Sequence, residues 1–214
     1  MHARPCSRIL LAVAFWTALP AAANGQTSVE VGPLVALYAP VGTFSPSAVY
    51  STALPERPSD LRGVAWGAQG RLWLTPKFGV RLLAAAASSR FGGGVNTPGG
   101  FVTTPKRAQV VTVTAEALYR PVPTVLPFWL SVGAGVVRHG GEAYAPYGSP
   151  RPLAGVLGAG CDAHLGPHIT AALGVTALFY SLNFKDSIHR MSFEYGPQTD
   201  VLAHIGLAWR SRLR

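Results

Sequence analysis

Hydrophobic residues alternate with small or polar residues from Leu153 to Leu182. In the first half, the odd-numbered positions 157–165 are apolar, and the even-numbered ones include Asp162 and His164. After a Gly-Pro turn at 166–167, the odd-numbered positions 169–179 are again apolar. Each run keeps a period of two for more than ten residues, which predicts two long strands. A wholly apolar face opposite a small or polar face is typical of strands between lipid and a barrel lumen.

The same alternation recurs along the rest of the chain and predicts eight strands. Their predicted ranges are 29–38, 63–75, 78–91, 109–119, 128–139, 153–165, 169–182 and 200–210. Short turns alternate with long connections that are rich in glycine and proline, which predicts loops without compact elements. The predicted long loops are 39–62, 92–108, 140–152 and 183–199.

These features predict an all-β fold, an eight-stranded antiparallel up-and-down transmembrane β-barrel. The alternation of connection lengths matches short periplasmic turns and long outer loops. A strand of about 12 residues is ~40 Å long, or ~28 Å across the membrane when tilted, which matches a bilayer core. A soluble lipocalin-like barrel is the alternative, but it would have an apolar interior and a polar exterior. Charged residues are missing from the core of the apolar faces, which favours the membrane barrel.

The first 23 residues have the pattern of a secretory signal peptide. Arg4 and Arg8 precede an apolar run over 9–19, and Ala21-Ala22-Ala23 offers a small-residue cleavage site. We therefore expect a signal peptide at 1–23, a barrel domain at 24–214 and export to the bacterial outer membrane. Cys161 is then the only cysteine of the mature chain, and we expect it to face lipid as a small hydrophobic residue.

Five charged residues fall on the predicted lumenal faces, within a few residues of a periplasmic strand end. They should share one level, where opposite charges can pair and fill a lumen about as wide as its side chains. A conducting pathway or a ligand site is the alternative. We also expect Asp162 to pair with Arg71 or Arg81. The residues are Glu30, Arg71, Arg81, Glu116 and Asp162.

Aromatic residues near the strand ends suggest interfacial girdles. The predicted periplasmic girdle contains Trp73, Phe78, Tyr119, Phe128 and Trp209, and the predicted outer girdle contains Tyr38, Phe91, Phe179 and Tyr180.

The predicted outer loops and rim carry a modest excess of basic residues. Their charge could meet the phosphates of lipopolysaccharide, or it could be ordinary solvated loop charge. The formal net charge is +9, but the basic residues do not form one cluster, so nucleic acid is not an expected partner. The predicted loop and rim residues are Arg57, Arg62, Arg90, Lys106, Arg107, Arg138, Arg151, Lys185 and Arg190.

The predicted architecture over Val29–Arg210, together with two local strings, makes the chain resemble the small eight-stranded outer-membrane β-barrels, the OmpA/OmpX-like and opacity-like group. The strings are Pro-Phe-Trp-Leu-Ser-Val-Gly-Ala-Gly at 127–135 and Gly-Leu-Ala-Trp-Arg at 206–210. The resemblance implies a terminal aromatic signal read by the barrel-assembly machinery, and we expect a monomer in outer-membrane lipid. This chain departs from the pattern because it continues past Trp209 to Arg214.

Neither a metal nor a catalytic centre is expected. His139, His164, His168, His189 and His204 lack a cysteine or carboxylate that would complete a zinc site, and no cofactor is expected. The predicted function is a structural or surface-interaction role, such as envelope integrity, adhesion or ligand contact through the outer loops. A narrow pore for small solutes is the first alternative. A lipid A-modifying enzyme is the second, with candidate residues Ser187, His189, Ser192 and Glu194 in the predicted fourth loop.

Overall fold

A computed structural model describes residues 27–41, 62–97, 100–122, 127–142, 145, 151–185 and 192–212. The predicted signal peptide and most of the predicted loops 39–62 and 140–152 lie outside these residues. The strands are β1 (Ser28–Pro40), β2 (Gly63–Trp73), β3 (Phe78–Thr97), β4 (Gly100–Tyr119), β5 (Phe128–Gly140), β6 (Leu153–His164), β7 (Ile169–Lys185) and β8 (Ser192–Arg212).

The eight strands close into one antiparallel barrel in chain order, with β8 paired to β1. The predicted fold class is therefore confirmed. Short turns at 74–77 and 165–168 lie at the same end as the first residue of β1 and the last residue of β8. We call this the turn end and the opposite one the loop end. No helix in the described part of the chain is long and apolar enough to cross a bilayer.

Two predicted loops are partly wrong, because the strands around them continue. The β3–β4 ladder runs up to the pair Thr97–Gly100, through most of the predicted loop 92–108. The β7–β8 ladder runs up to Lys185–Ser192, with a register shift at Ser181/Leu182. Each strand of such a hairpin gives the other its backbone hydrogen bonds, so a partner compensates for weak β-propensity. The hairpins β3–β4 and β7–β8 therefore extend beyond the level at which all eight strands pair with their neighbours. We call them the two tall hairpins.

Two prolines lie at interruptions of the strand ladders, where a residue without a backbone N–H is tolerated. Pro33 lies in a gap of the β1–β8 ladder, between the pairs Val31–Trp209 and Leu34–Gly206. Pro197 lies next to the register shift in the β7–β8 ladder. Both positions fit the rule that proline is confined to interruptions, bulges and edges of a sheet.

The alternation predicted from the sequence sets the two faces of the wall. Apolar side chains such as Val31, Trp66 and Leu82 are exposed on the outside, while Glu30 and Arg71 are buried inside. A continuous apolar exterior is the surface that a barrel presents to lipid. Cys161 is exposed on this exterior face, as expected.

The girdle prediction is confirmed in part. Phe78, Tyr119, Phe128, Phe179 and Trp209 are exposed on the outside of the wall. Three other aromatic side chains point inward, because they share the strand parity of buried residues. The assignments of Trp73, Tyr38 and Tyr180 to the girdles were therefore wrong, and the side chain of Phe91 lies outside the described residues.

Candidate functional site

The lumen next to the turn end holds a buried network that we call the ion-pair layer. All five charged residues predicted for the lumen belong to it. Cross-strand register places Glu30 opposite Arg71, Arg71 opposite Arg81, and Arg81 opposite Glu116. Residues opposite each other in a ladder point to the same side of the sheet, so these side chains meet inside. The layer consists of Glu30, Arg71, Arg81, Glu116, Arg120 and Asp162.

Asp162 on β6 connects distant walls of the barrel. Its Oδ1 accepts hydrogen bonds from Arg71 Nη1 at 2.7 Å and from Trp129 Nε1 at 3.1 Å. Its Oδ2 accepts a hydrogen bond from Arg120 Nη2 at 2.9 Å. The predicted pairing of Asp162 with an arginine is therefore present, and the partner on a strand is Arg71.

Arg120 is the member of the ion-pair layer that the sequence analysis missed. It was placed in a turn, whereas its side chain is buried and its guanidinium stacks on the Trp73 ring, 3.9 Å from the centroid. It directly follows β4, in which the even-numbered residues point inward. This alternation could have predicted that Arg120 also points inward.

Glu116 and Arg81 form a further ion pair of the layer, at 2.5 Å. Glu116 also accepts hydrogen bonds from Ser131 Oγ at 2.6 Å and Thr114 Oγ1 at 2.7 Å. Arg81 donates a further hydrogen bond to Thr176 Oγ1 at 3.1 Å. A carboxylate with three donors satisfies the condition under which a buried ion pair offsets its desolvation cost.

Trp129 lies within this network. Its ring is 4.5 Å from the Arg81 guanidinium and 5.9 Å from that of Arg71, within cation–π range. Gly174 on β7 lies close to this ring, and a Cβ at this position would be 2.9 Å from Trp129 Cη2 and 2.7 Å from His204 Cε1. The close approach of the ring therefore requires a residue without a side chain.

Glu30 completes the layer at the edge nearest the turn end. Its carboxylate lies 3.6 Å from Arg71 and 3.8 Å from Arg210, which are ion-pair rather than hydrogen-bond distances. The side chains of Glu30, Arg71, Arg81, Glu116 and Asp162 are each exposed by at most 1 % where these ion pairs form. The ion-pair layer thus occupies the lumen at this level.

Apolar side chains fill the barrel between the ion-pair layer and the loop end. Large members include Leu34, Leu83, Val137, Leu178 and Leu202, all buried. The sequence analysis predicted a small or polar lumen, so the extent of this apolar layer is a correction. Small side chains on the inward face, many of them alanine, leave room for the leucines and valines to interdigitate.

A second polar cluster, which we call the Asp200 layer, lies above the apolar layer. Asp200 Oδ2 accepts hydrogen bonds from Tyr180 at 2.5 Å and from Tyr38 at 2.6 Å. The Tyr180 hydroxyl also lies 3.3 Å from His139 Nε2. Gln198 Nε2 donates to Asp200 Oδ1 at 3.3 Å. Four different strands contribute, so the cluster joins much of the circumference.

None of the Asp200 layer was predicted as a site. His139 was predicted as the last residue of the fifth strand and Gln198 as part of the fourth loop, and both lie on strands with buried side chains. The alternation of side chains along a strand places Tyr38 and Tyr180 on the inward face, as it does Trp73, so their burial could have been predicted from the sequence. Their convergence on Asp200 depends on the stagger of the strands, which the sequence does not give.

The predicted basic residues are only partly described. Arg62, Arg107, Arg138 and Arg151 are exposed near the loop end. Lys106 and Lys185 lie on β4 and β7, and Arg90 on β3, but their side chains are outside the described residues. Arg57 and Arg190 are outside as well. The structure does not bring the four described arginines into one pocket.

Histidines do not converge within the described ranges. There, no group of three or more histidine, cysteine, aspartate or glutamate side chains could hold a metal ion. His164 contacts Thr170 at 3.2 Å, and His168 stacks on Trp209. Of the residues proposed for a hydrolase, Ser187 and His189 lie outside the described residues, and Ser192 and Glu194 lie on β8 with undescribed side chains.

Solved structures show the same fold. The outer-membrane protein OprG from Pseudomonas aeruginosa is 14% identical, with 88% of this chain and 97% of that chain covered and a TM-score of 0.52. The outer-membrane protein AlkL, solved in lipid bilayers, is also 14% identical, with 88% and 91% covered and a TM-score of 0.50. No family model matches the sequence, and no curated protein is significantly similar to it.

Identities this low establish the fold alone. The chain has the fold of the small eight-stranded outer-membrane barrels, as the resemblance implied.

Proposed function

We propose that the protein is a closed, non-conducting outer-membrane barrel with a structural and surface-contact role. The observation that carries the proposal is the filled lumen. The ion-pair layer blocks the turn end, apolar side chains fill the centre, and the Asp200 layer lies above them. A solute would have to displace buried ion pairs and apolar contacts in sequence to pass.

The two tall hairpins support the surface-contact part of the proposal. The β3–β4 ladder continues for ten pairs beyond Ala87–Val110, to Thr97–Gly100. At about 3.3 Å per residue, this extension is ~30 Å long, longer than the connection between two membrane strands requires. If the turn end faces the periplasm, the hairpins project from the cell and offer backbone and side chains to a partner.

Planar-bilayer recording tests the closed lumen. The purified, heat-modifiable protein should give no discrete current steps. A variant with Trp129→Ala and Arg81→Ala, which removes one arginine of the ion-pair layer and the ring packed against it, serves as a control that an opened barrel is detectable. Steps from the unchanged protein, of a size similar to those of the variant, would support the narrow pore instead.

Protease accessibility tests the orientation of the hairpins. A protease recognition site inserted between Thr97 and Gly100 should be cut on intact cells, leaving the barrel heat-modifiable on a gel. Cleavage only after the cells are broken would place the loop end in the periplasm and reject surface contact. The uncut, unmodified protein is the reference for both results.

A further inference from the structure

Near the loop end, the backbone register of β2, β3 and β4 places three arginine positions in a row. Arg107 on β4 lies opposite Arg90 on β3 in the backbone register. The β2–β3 register, continued three residues beyond Ala65–Ala87, places Arg62 opposite Arg90. The two backbones are still close there, because a Cβ on Gly63 would lie 2.9 Å from the Ser88 carbonyl oxygen. Neighbouring strands are about 4.8 Å apart, so the row is compact.

The described members of this row belong to the outward face. Arg62 is exposed and precedes Val64 by two residues, and Val64 is exposed on the outer wall. Arg107 is exposed and precedes the exposed Gln109 by two residues. Since strand side chains alternate between faces, both arginines continue the outer surface rather than the lumen.

A second basic pair lies on the next strands around the barrel. Arg138 on β5 and Arg151 before β6 are both exposed. The register Val136–Leu153, continued by two residues, brings them opposite each other, and Val137 N donates to Pro152 O at 3.1 Å in between. Like charges directly opposite each other in a sheet are destabilising, so both groups stand to gain from an anion.

Acidic residues give little compensation among the described neighbours. Continuing the β4–β5 register beyond Gln109–Gly140 places the exposed Glu142 opposite Arg107. This leaves one described carboxylate against the two exposed arginines Arg62 and Arg107.

We infer that Arg62 and Arg107, at the two ends of this row, bind a phosphorylated lipid of the outer leaflet. The apolar exterior directly below the row decides between a lipid and a soluble polyanion. Trp66 on β2 and Val113 on β4, which follow the arginines toward the turn end, are exposed on the same face by 68% and 52%. A ligand with acyl chains and a phosphate headgroup matches both parts, whereas a soluble polyanion matches only the arginines. This inference rests on the proposed place in the outer membrane.

Native mass spectrometry of the folded protein in neutral detergent tests the inference, with lipid A carrying two phosphates as the probe. Monophosphoryl lipid A with the same acyl chains is the comparison. The unchanged protein should bind the bisphosphorylated form more tightly, and Arg62→Gln with Arg107→Gln should weaken binding by at least about fivefold, the attraction expected of one basic residue at an anionic membrane surface. Adding salt should weaken binding because exposed charges are screened.

The matched control removes two exposed basic residues at the turn end, Lys77→Gln with Arg212→Gln, and should leave binding unchanged. Equal binding by both double variants would overturn the inference. So would displacement of lipid A by a soluble sulfated polysaccharide at equal charge. Heat-modifiability and bilayer recording of the same samples test the closed barrel separately, so a failure of the lipid site is distinguishable from a failure of the proposed function.

Discussion

Arg71 and Asp162 are separated by 91 positions in the sequence, yet their side chains meet at 2.7 Å inside the barrel. Their strands, β2 and β6, are not neighbours in the sheet, so the contact crosses the lumen. Arg120 binds the other carboxylate oxygen of Asp162 at 2.9 Å. This single carboxylate therefore holds distant parts of the wall together.

Replacing Asp162 should destabilise the barrel strongly. Asp162→Ala leaves Arg71 and Arg120 buried without their carboxylate, and removing one partner of a buried ion pair costs about 3–5 kcal/mol. Urea unfolding of the protein in lipid vesicles, followed by tryptophan fluorescence, measures this loss. Lys77→Gln at the exposed turn is the control and should change the free energy of unfolding by less than about 0.5 kcal/mol. Similar midpoints for both variants would contradict the bridging role.

Arg81 and Glu116 should show coupled effects on stability. Arg81→Met or Glu116→Leu alone leaves one buried charge unpaired, whereas the double variant leaves neither. We expect the double variant to lose less stability than the sum of the single variants, with a coupling of about 0.5–3 kcal/mol. A double-mutant cycle in the same unfolding assay measures it. Strict additivity would show that the two side chains do not interact.

The tyrosines of the Asp200 layer should each contribute to stability through one hydroxyl. Tyr38→Phe and Tyr180→Phe each remove a hydrogen bond to Asp200. The expected cost is about 1.5–3 kcal/mol for each if the carboxyl is charged, and about 1 kcal/mol if it is neutral. Tyr119→Phe on the outer surface is the matched control and should be close to neutral. Costs that do not exceed this control would mean that the hydroxyls contribute nothing.

Two glycine substitutions separate packing from backbone effects. Gly174→Ala should destabilise by about 1–3 kcal/mol, because the new methyl group would lie within 3.0 Å of His204 and Trp129. Gly70→Ala should have little effect, since a Cβ there meets nothing within 4 Å. Unfolding midpoints and the tryptophan emission maximum report the two outcomes. Equal effects would show that the Trp129 ring can move aside.

A charged side chain on the apolar exterior should lower the free energy of unfolding more, the closer it lies to the middle of the bilayer. Leu157 and Leu165 are both exposed on the outward face, with Leu157 near the middle of β6 and Leu165 at the turn end. Leu157→Arg should cost about 2–4 kcal/mol in lipid vesicles, and Leu165→Arg about 0–1 kcal/mol. Indistinguishable costs for the two variants would contradict a bilayer around the middle of the barrel.

Much of the wall follows from the sequence alone. Side chains in a strand alternate between faces with a period of two, so alternation predicted the eight strands and their lipid-facing sides. The same rule placed Glu30, Arg71 and Glu116 in the lumen. The rule also places Trp73 and Arg120 on the inward face. Both were predicted wrongly, because Trp73 was assigned to a girdle as an aromatic residue near a strand end, and Arg120 to a turn because prolines follow it.

The tall hairpins could not be predicted in the same way. Glycine and proline between positions 92 and 108 indicate a loop when each residue is considered with its neighbours in sequence. In the fold, the backbone of this segment pairs with β3 or with itself across Thr97–Gly100. Cross-strand pairing, rather than local propensity, determines the strand in that region.

The sequence by itself determined the strand pattern, the two faces of the wall and the level of the lumenal charges, because each depends on local alternation. Only the tertiary structure decided that Asp162 binds Arg71, that Arg81 binds Glu116, and that Tyr38 and Tyr180 meet at Asp200. The contact between Arg71 and Asp162 crosses the lumen between strands that do not pair, whereas the other contacts join side chains of adjacent strands. They depend on the stagger and closure of the whole barrel, which no stretch of sequence contains.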